Sequence, residues 1–265
     1  MRIELFYGDR YSFRYQVRQC DGHVIYRLTL PMSKKSRPIQ FRYIFDFGSS
    51  NREVFNLEID EATGRRIDGN TDNFPEWSKL GFAQCPNCPL DVTETEYCPA
   101  ATALTETAHR LGKVVSHAEV QLVVISEERW VGKKTTSQSA ISSLIGFQIA
   151  TSGCPNVDFL RPMARFHLPL ANLDETLTRV VGMYFLGQYY RSRDGGHFDM
   201  KLEGLAKNYS ELQTVNSYIA DRLRSSGEIV ELNAFAVLDQ LAQIIPLEIE
   251  DALEDVRELF TEHQK

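Results

Sequence analysis

The sequence predicts an α+β protein, and three observations carry that expectation. The first seventy or so residues alternate apolar and polar positions between turn pairs, a strand pattern. From Asn172 onward apolar residues recur every three or four positions, a helical pattern. Between the two lies a segment whose cysteines have a spacing of their own. The expected organisation is an N-terminal antiparallel β module over 1–70, followed by a domain over 71–265. That second domain joins a central mixed segment with a cysteine loop to a helical C-terminal half.

Taken in order, Met1 to Tyr7 is apolar-rich and stops at Gly8-Asp9, and Tyr11 to Arg18 alternates through Tyr11, Phe13, Tyr15 and Val17. Asp21-Gly22 is a hairpin signal, since both residues tolerate the positive φ of a tight turn. Further strands are expected over His23 to Leu30, Ile39 to Phe47 and Glu53 to Ile59, with turns at Gly48-Ser-Ser-Asn and Ala62-Thr-Gly-Arg. Gly69 to Pro75 is polar and turn-rich, the expected boundary. Trp77, Leu80 and Phe82 follow at spacings that either cover the cysteine loop or, as the favoured reading, anchor the linker to the core.

Ala100 to Leu111 is rich in helix formers and meets Gly112, an expected C-cap. A strand is expected within Val114 to Ile125 and another near Arg129 to Val131. A helix is expected over Thr135 to Ala150, with Ile141, Leu144, Ile145 and Ile149 on its apolar face. Arg161 to Pro169, bracketed by prolines, reads as irregular. Asn172 and Glu175 form a capping pair for a helix to about Arg191, and a second long helix spans roughly Phe198 to Arg224. Leu232 to Glu262 reads as two helices broken before Pro246, because proline disfavours a helix interior.

Composition narrows the functional classes. Hydrophobic content of 43% and charged content of 25% over 265 residues describe a globular protein with a sizeable core. A net charge of −7 repels nucleic-acid backbones and anionic lipid. The basic stretches Lys34-Lys35-Ser36-Arg37 and Lys133-Lys134 are too short to reverse this and read as solvated loop tips. No apolar window is long enough to span a membrane, and the N-terminus has no export signal. The expectation is a cytoplasmic protein without nucleic-acid or membrane partners, whose helical C-terminal half is the surface for any protein partner. In that compartment cysteines read as metal ligands or redox thiols rather than disulfides.

The chemical signal is concentrated in Gln84 to Pro99 and Ser152 to Pro155. Four of the five cysteines, Cys85, Cys88, Cys98 and Cys154, lie here, and each is followed by proline. Cys85 and Cys88 have the spacing that lets one loop present two thiolates to one cation. Nine residues separate Cys88 from Cys98, and fifty-five separate Cys98 from Cys154. Four thiolates complete either an all-thiolate zinc site or the ligand set of an iron–sulfur cluster. Proline after each cysteine removes the N–H that zinc knuckles commonly turn toward sulfur, and Cys-Pro recurs at the last ligand of bacterial ferredoxins. The sequence therefore points to an iron–sulfur cluster of the 4Fe–4S type ahead of zinc, although N–H groups at Asn87 and Leu90 remain within reach of the sulfurs. Two further readings stay open: Cys154 as a buried apolar residue that leaves three thiols, and Cys85–Cys88 as a metal-free dithiol switch. Four Cys-Pro steps converging on one haem make poor geometric sense. Cys20, at an expected strand end without proline, reads as structural.

Elsewhere the signals are weaker. Arg161, Arg165 and His167 follow Cys154 closely and can offer cationic donors, or form a salt-bridged connector, the favoured reading. Thr135, Thr136 and Ser137 open a helix and read as an N-cap before an anion site. His109, His117 and His197 are scattered. No nucleophile–base spacing, zinc-protease motif or phosphate loop is present, so no catalytic residues are identified and the sequence supports no enzyme activity.

The combination Cys85-Pro-Asn-Cys-Pro-Leu, Tyr97-Cys-Pro-Ala, Thr135-Thr-Ser-Gln, Ala150-Thr-Ser-Gly-Cys-Pro and Phe159-Leu-Arg-Pro-Met-Ala-Arg-Phe-His-Leu-Pro resembles an uncharacterised bacterial protein family grouped as a domain of unknown function. The resemblance covers most of the chain after Trp77. It implies a bacterial cytoplasmic protein and brings no activity, cofactor or catalytic residue with it. The functional expectation is a metal-binding protein used in redox sensing or electron transfer; the alternatives are a structural zinc site in a binding or adaptor protein, or a dithiol switch.

Overall fold

The computed structural model describes residues 2–7, 11–20, 23–29, 38–48, 51–67, 73–226, 238–240, 242–243, 253–254 and 256–264, with side chains from residue 38 to residue 260. The chain divides into two units, Met1–Arg37 and Pro38–Lys265. The first is an antiparallel meander of β1 (Arg2–Tyr7), β2 (Tyr11–Cys20) and β3 (His23–Thr29). Cys20 ends β2 and pairs with His23, the first residue of β3 after the dipeptide Asp21-Gly22. The dipeptide itself lies outside the described residues, as do Gly8-Asp9 and Lys34 to Arg37.

In the second unit, β4 (Pro38–Asp46) and β5 (Arg52–Asp60) form an antiparallel hairpin. β4 pairs on its other edge with β6 (Glu119–Ser126), and β6 pairs with β7 (Trp130–Thr136). The order is β5-β4-β6-β7, antiparallel throughout. The boundary expected at 70/71 therefore falls inside this unit, because β4 before it is hydrogen-bonded to β6 after it. Alternation places Phe41, Tyr43 and Phe45 of β4, Phe55, Leu57 and Ile59 of β5, and Val120, Leu122 and Val124 of β6 in the core. Register lines Phe55, Tyr43 and Val124 across three strands, so one row of side chains is buried together. The outer strand β7 carries Lys133 and Lys134 and an exposed Trp130, and charges of this kind discourage further strand addition.

The sheet is covered by α3 (Ser137–Thr151), which packs against β6 and β7. Eleven of its fifteen residues are buried, so it is a core helix rather than an amphipathic surface one. The Thr136 side chain accepts from the Ser139 N–H at its start, the N-cap expected there. Phe147 meets Phe41 with ring centroids 4.8 Å apart. Each large apolar side chain fully buried here stabilises the fold by roughly 1.5–3 kcal/mol.

The helix expected over Ala100 to Leu111 is two, α1 (Pro99–Thr102) and α2 (Thr105–Leu111). The hydroxyls of Thr102 and Thr105 bond back to carbonyls three residues earlier, both at 3.0 Å, where a continuous helix would use those groups differently. Gly112 is the C-cap of α2, as expected; its backbone is right-handed and its N–H donates to Ala108 O at 3.0 Å. The segment expected to be irregular over Arg161 to Pro169 opens with α4 (Arg161–Arg165), which follows a 3-10 helix over Pro155–Leu160. Pro162 lies in the first turn of α4, where a missing N–H breaks no bond.

α5 (Leu173–Arg193) has the expected reciprocal cap: Glu175 N–H donates to Asn172 Oδ1 and Asn172 N–H to Glu175 Oε2, both at 2.8 Å. α6 (Glu203–Ser226) starts later than expected because Leu202 adopts a positive φ of 59° and Asp199 accepts from Gly204 N–H at 2.8 Å. Leu205, Tyr209, Leu212, Val215, Ile219 and Leu223 form its buried stripe. The terminal helices expected over Leu232 to Glu262, with their break before Pro246, lie largely outside the described residues. Among the described residues no helix is long and apolar enough to cross a membrane. The whole is α+β.

Candidate functional site

The cysteine loop is closed at its base by backbone bonds. Leu80 N–H donates to Glu96 O and Cys98 N–H donates to Ser78 O, each at 2.8 Å, on either side of a bridge between Lys79 and Tyr97. Inside it, Cys88 N–H donates to Cys85 O at 3.0 Å, a four-residue turn with Pro86 at its second position. Gln84 Nε2 donates to Leu90 O at 2.8 Å. Two asparagines tie the loop down: the Asn87 amide donates to the Glu211 carboxylate and, at 3.2 Å, to the Glu211 carbonyl on α6. Asn156 Nδ2, two residues past Cys154, donates to Asn87 O at 3.0 Å. That bond links the distant fourth cysteine to the first pair.

Three of the four prolines have backbone reasons of their own, Pro86 in the turn above and the other two at helix starts. Cys98 is the N-cap of α1 with Pro99 next, and Cys154 is the N-cap of the 3-10 helix with Pro155 next. Proline favours a first helical position because its fixed φ suits the helix and its missing N–H has no partner there. Gly153, with φ of 87°, turns the chain from α3 into this second start. Cys-Pro is therefore a chain-direction signal here, and it does not choose between metals.

The thiols share one environment. Cys98 and Cys154 are 6% and 7% exposed, while Cys85 and Cys88 are half-buried, so the group runs from the core toward the surface. Burial pushes the Cys85 thiol up to about 11, and the charges of Cys98 and Cys88 push it the same way. Burial pushes Cys154 up to about 12, with Cys98, Cys85 and Cys88 adding to the effect. Cys154 thus feels the other three thiols, and Cys85 feels Cys98 and Cys88. Among the described residues, no three His, Cys, Asp or Glu side chains are arranged closely enough to hold an ion as they stand. The donor chemistry fits a thiophilic metal. Burial that keeps the Cys85 thiol protonated makes it a poor nucleophile.

One charged residue opposes this pattern. Arg222 on α6 is fully buried, and its charge lowers the Cys85 thiol against the other influences. Its guanidinium donates to Trp77 O at 2.9 Å, Lys79 O at 2.6 Å and Leu80 O at 2.8 Å, while Nε is buried without a partner. No carboxylate pairs with it among the described residues. Sequence reading missed Arg222, although a signal exists: it lies three residues after Ile219 and seven after Val215, within the apolar stripe of α6. Trp77 and Leu80, 3% and 1% exposed, anchor the linker to the core as expected.

The other sequence candidates resolve into structural roles. Arg161 donates to Thr63 O at 3.1 Å and pairs with Asp158 at 3.4 Å, and Arg165 pairs with Glu61 at 3.4 Å. They border a cavity of about 490 Å³ between the 61–64 turn, α4, α5 and α6, lined in part by Phe159, Met163, Tyr184 and Tyr209. His109, His117 and His197 are exposed. His167 is not a cationic donor: its ring packs on Phe147 at 4.8 Å and hydrogen-bonds the Tyr43 hydroxyl. Burial first, and the Arg179 charge second, lower it to about 3. Between the ordinary histidine value and this one, the unfolded chain binds a proton that the native state refuses. Stability is therefore complete above about pH 6.5 and falls toward pH 3, by up to about 1.4 kcal/mol per pH unit from this group. His167→Gln is expected to flatten that part of the urea-stability profile, and an unchanged slope would remove His167 as its source.

Comparison with curated proteins and with solved structures gives no match. Residues 39–261 match a family model, which begins at β4 and takes in the sheet of the second unit, the cysteine loop and the helices: the chain belongs to the family described as Domain of unknown function (DUF6901).

Proposed function

We propose that this protein holds a metal centre on Cys85, Cys88, Cys98 and Cys154, an iron–sulfur cluster serving redox sensing or electron transfer. The observation that supports the reading is the Asn156–Asn87 bond, which ties the segment after Cys154 to the loop of Cys85, Cys88 and Cys98, with the buried Arg222 guanidinium held at the base of that loop. Burial first, and the neighbouring thiols second, hold Cys85 and Cys154 protonated, and a cation bound to the thiolates offsets both. The graded exposure, with Cys98 and Cys154 in the core and Cys85 and Cys88 toward solvent, suits a centre reached by electrons from one side. When bound, the cluster supplies one-electron chemistry. The chain's own residues position the thiols through the Asn87 and Asn156 bonds and limit water through Leu80 and the proline rings. Such thiols need a reducing compartment, so the reading places the protein in the cytoplasm, exchanging electrons with a protein partner.

The test is anaerobic purification followed by visible absorption and iron, sulfide and zinc analysis. Broad visible absorption with matching iron and sulfide is the expected result. Colourless protein with stoichiometric zinc would make the site structural. Protein that stays metal-free after reconstitution, with reactive thiols, would leave the dithiol switch.

A further inference from the structure

We infer that Arg222 is the buried counter-charge of the four-thiol centre, so that the occupant is an anionic complex in which all four cysteines are thiolates. The inference rests on the metal-centre reading above and adds the charge of what is bound.

The argument begins with an arginine where the helical period calls for an apolar side chain. Arg222 is fully buried on the stripe that includes Ile219 and Leu223. An isolated buried cation is strongly unfavourable unless compensated. Three carbonyls satisfy Nη1 and Nη2, but carbonyls are dipoles, and no carboxylate supplies the opposite charge among the described residues. The Nε–H is left over. The carbonyls belong to Trp77, Lys79 and Leu80, the strand of backbone bridged to Tyr97 and Cys98 at the base of the loop. The guanidinium is thus fixed against the element that presents three of the four cysteines. A divalent ion held by four thiolates gives a complex of net charge two minus. One buried positive charge beside it offsets half of that charge.

Cobalt(II) is the probe, because thiolate coordination gives it a characteristic absorption. Wild-type, Arg222→Gln and Arg222→Lys proteins are titrated anaerobically, with competing chelator to read affinity. Arg222→Gln keeps a donor amide and loses the charge; Arg222→Lys keeps the charge and loses the planar fork. The expected result is a loss of at least about tenfold for Arg222→Gln, the scale of one nearby opposite charge, with Arg222→Lys markedly closer to wild type. Equal losses in both variants, or none in either, would overturn the inference while leaving the metal site standing. Wild-type protein without cobalt–thiolate absorption would overturn the four-thiol reading and this inference with it. Should Arg222→Gln fail to fold, the sulfur-to-cobalt charge-transfer intensity of the wild type decides: an intensity matching four thiolates per cobalt is expected, and one matching three or fewer would overturn the inference.

Discussion

Cys98→Ala protein is expected to fold and to lose metal, with affinity reduced by more than about a hundredfold. The backbone part of Cys98 survives the change, since its N–H still donates to Ser78 O and its carbonyl still accepts from Thr102. What disappears is one sulfur of four. Structural zinc sites bind with apparent energies of about 10–16 kcal/mol, so each ligand carries roughly 3 kcal/mol on average, more than two orders of magnitude in affinity. Cys154→Ala is the sharper test, because the fourth ligand is the most distant in sequence. It is expected to behave like Cys98→Ala in a cobalt or iron–sulfide reconstitution. Full metal occupancy in Cys154→Ala would show that the four-ligand model is wrong and that Cys154 is a packing residue.

Arg222→Met protein is expected to lose about 3 kcal/mol of stability in urea denaturation of metal-free protein. Hydrogen bonds from a charged donor are worth roughly 1.5–3 kcal/mol each, and methionine leaves the carbonyls of Trp77, Lys79 and Leu80 without that donor. Against this stands the relief of a buried charge, which keeps the net loss below the sum. Metal-loaded wild type should exceed metal-loaded Arg222→Met by a larger margin than the metal-free pair does, because the charge then has an opposite. Equal margins would separate the anchoring of the loop from any electrostatic role.

Much of the fold was legible because local chemistry and tertiary structure agree. The Asn172–Glu175 cap, the Thr136 cap and the alternation in β4 and β5 formed as their side chains dictate. What was not legible is pairing between distant segments. Nothing in the residues 39–59 announces that β4 will accept β6 rather than a neighbour from the first meander, since alternation fixes which face is buried and not which edge is joined. The cysteines were legible as a group from composition alone. The reason for their prolines was not, because helix starts of four and six residues leave little periodicity to detect. Arg222 was visible in principle as a charge on an apolar stripe, but its partners are carbonyls more than 140 residues earlier, and a carbonyl has no sequence signature.

The strand order has a consequence for biosynthesis. In a sheet ordered β5-β4-β6-β7, the inner edge of β4 stays open until the ribosome has delivered β6. The cysteine loop is made during that interval, so Cys85, Cys88 and Cys98 exist on a nascent chain whose sheet is still incomplete. Cys154 emerges only after β7 and α3, when the sheet can close. Thiols in a half-finished chain are exposed to oxidation and to mispairing. Assembly in this order gives an early three-thiol platform and a late fourth arm, and the arm can arrive only once the scaffold behind it is complete.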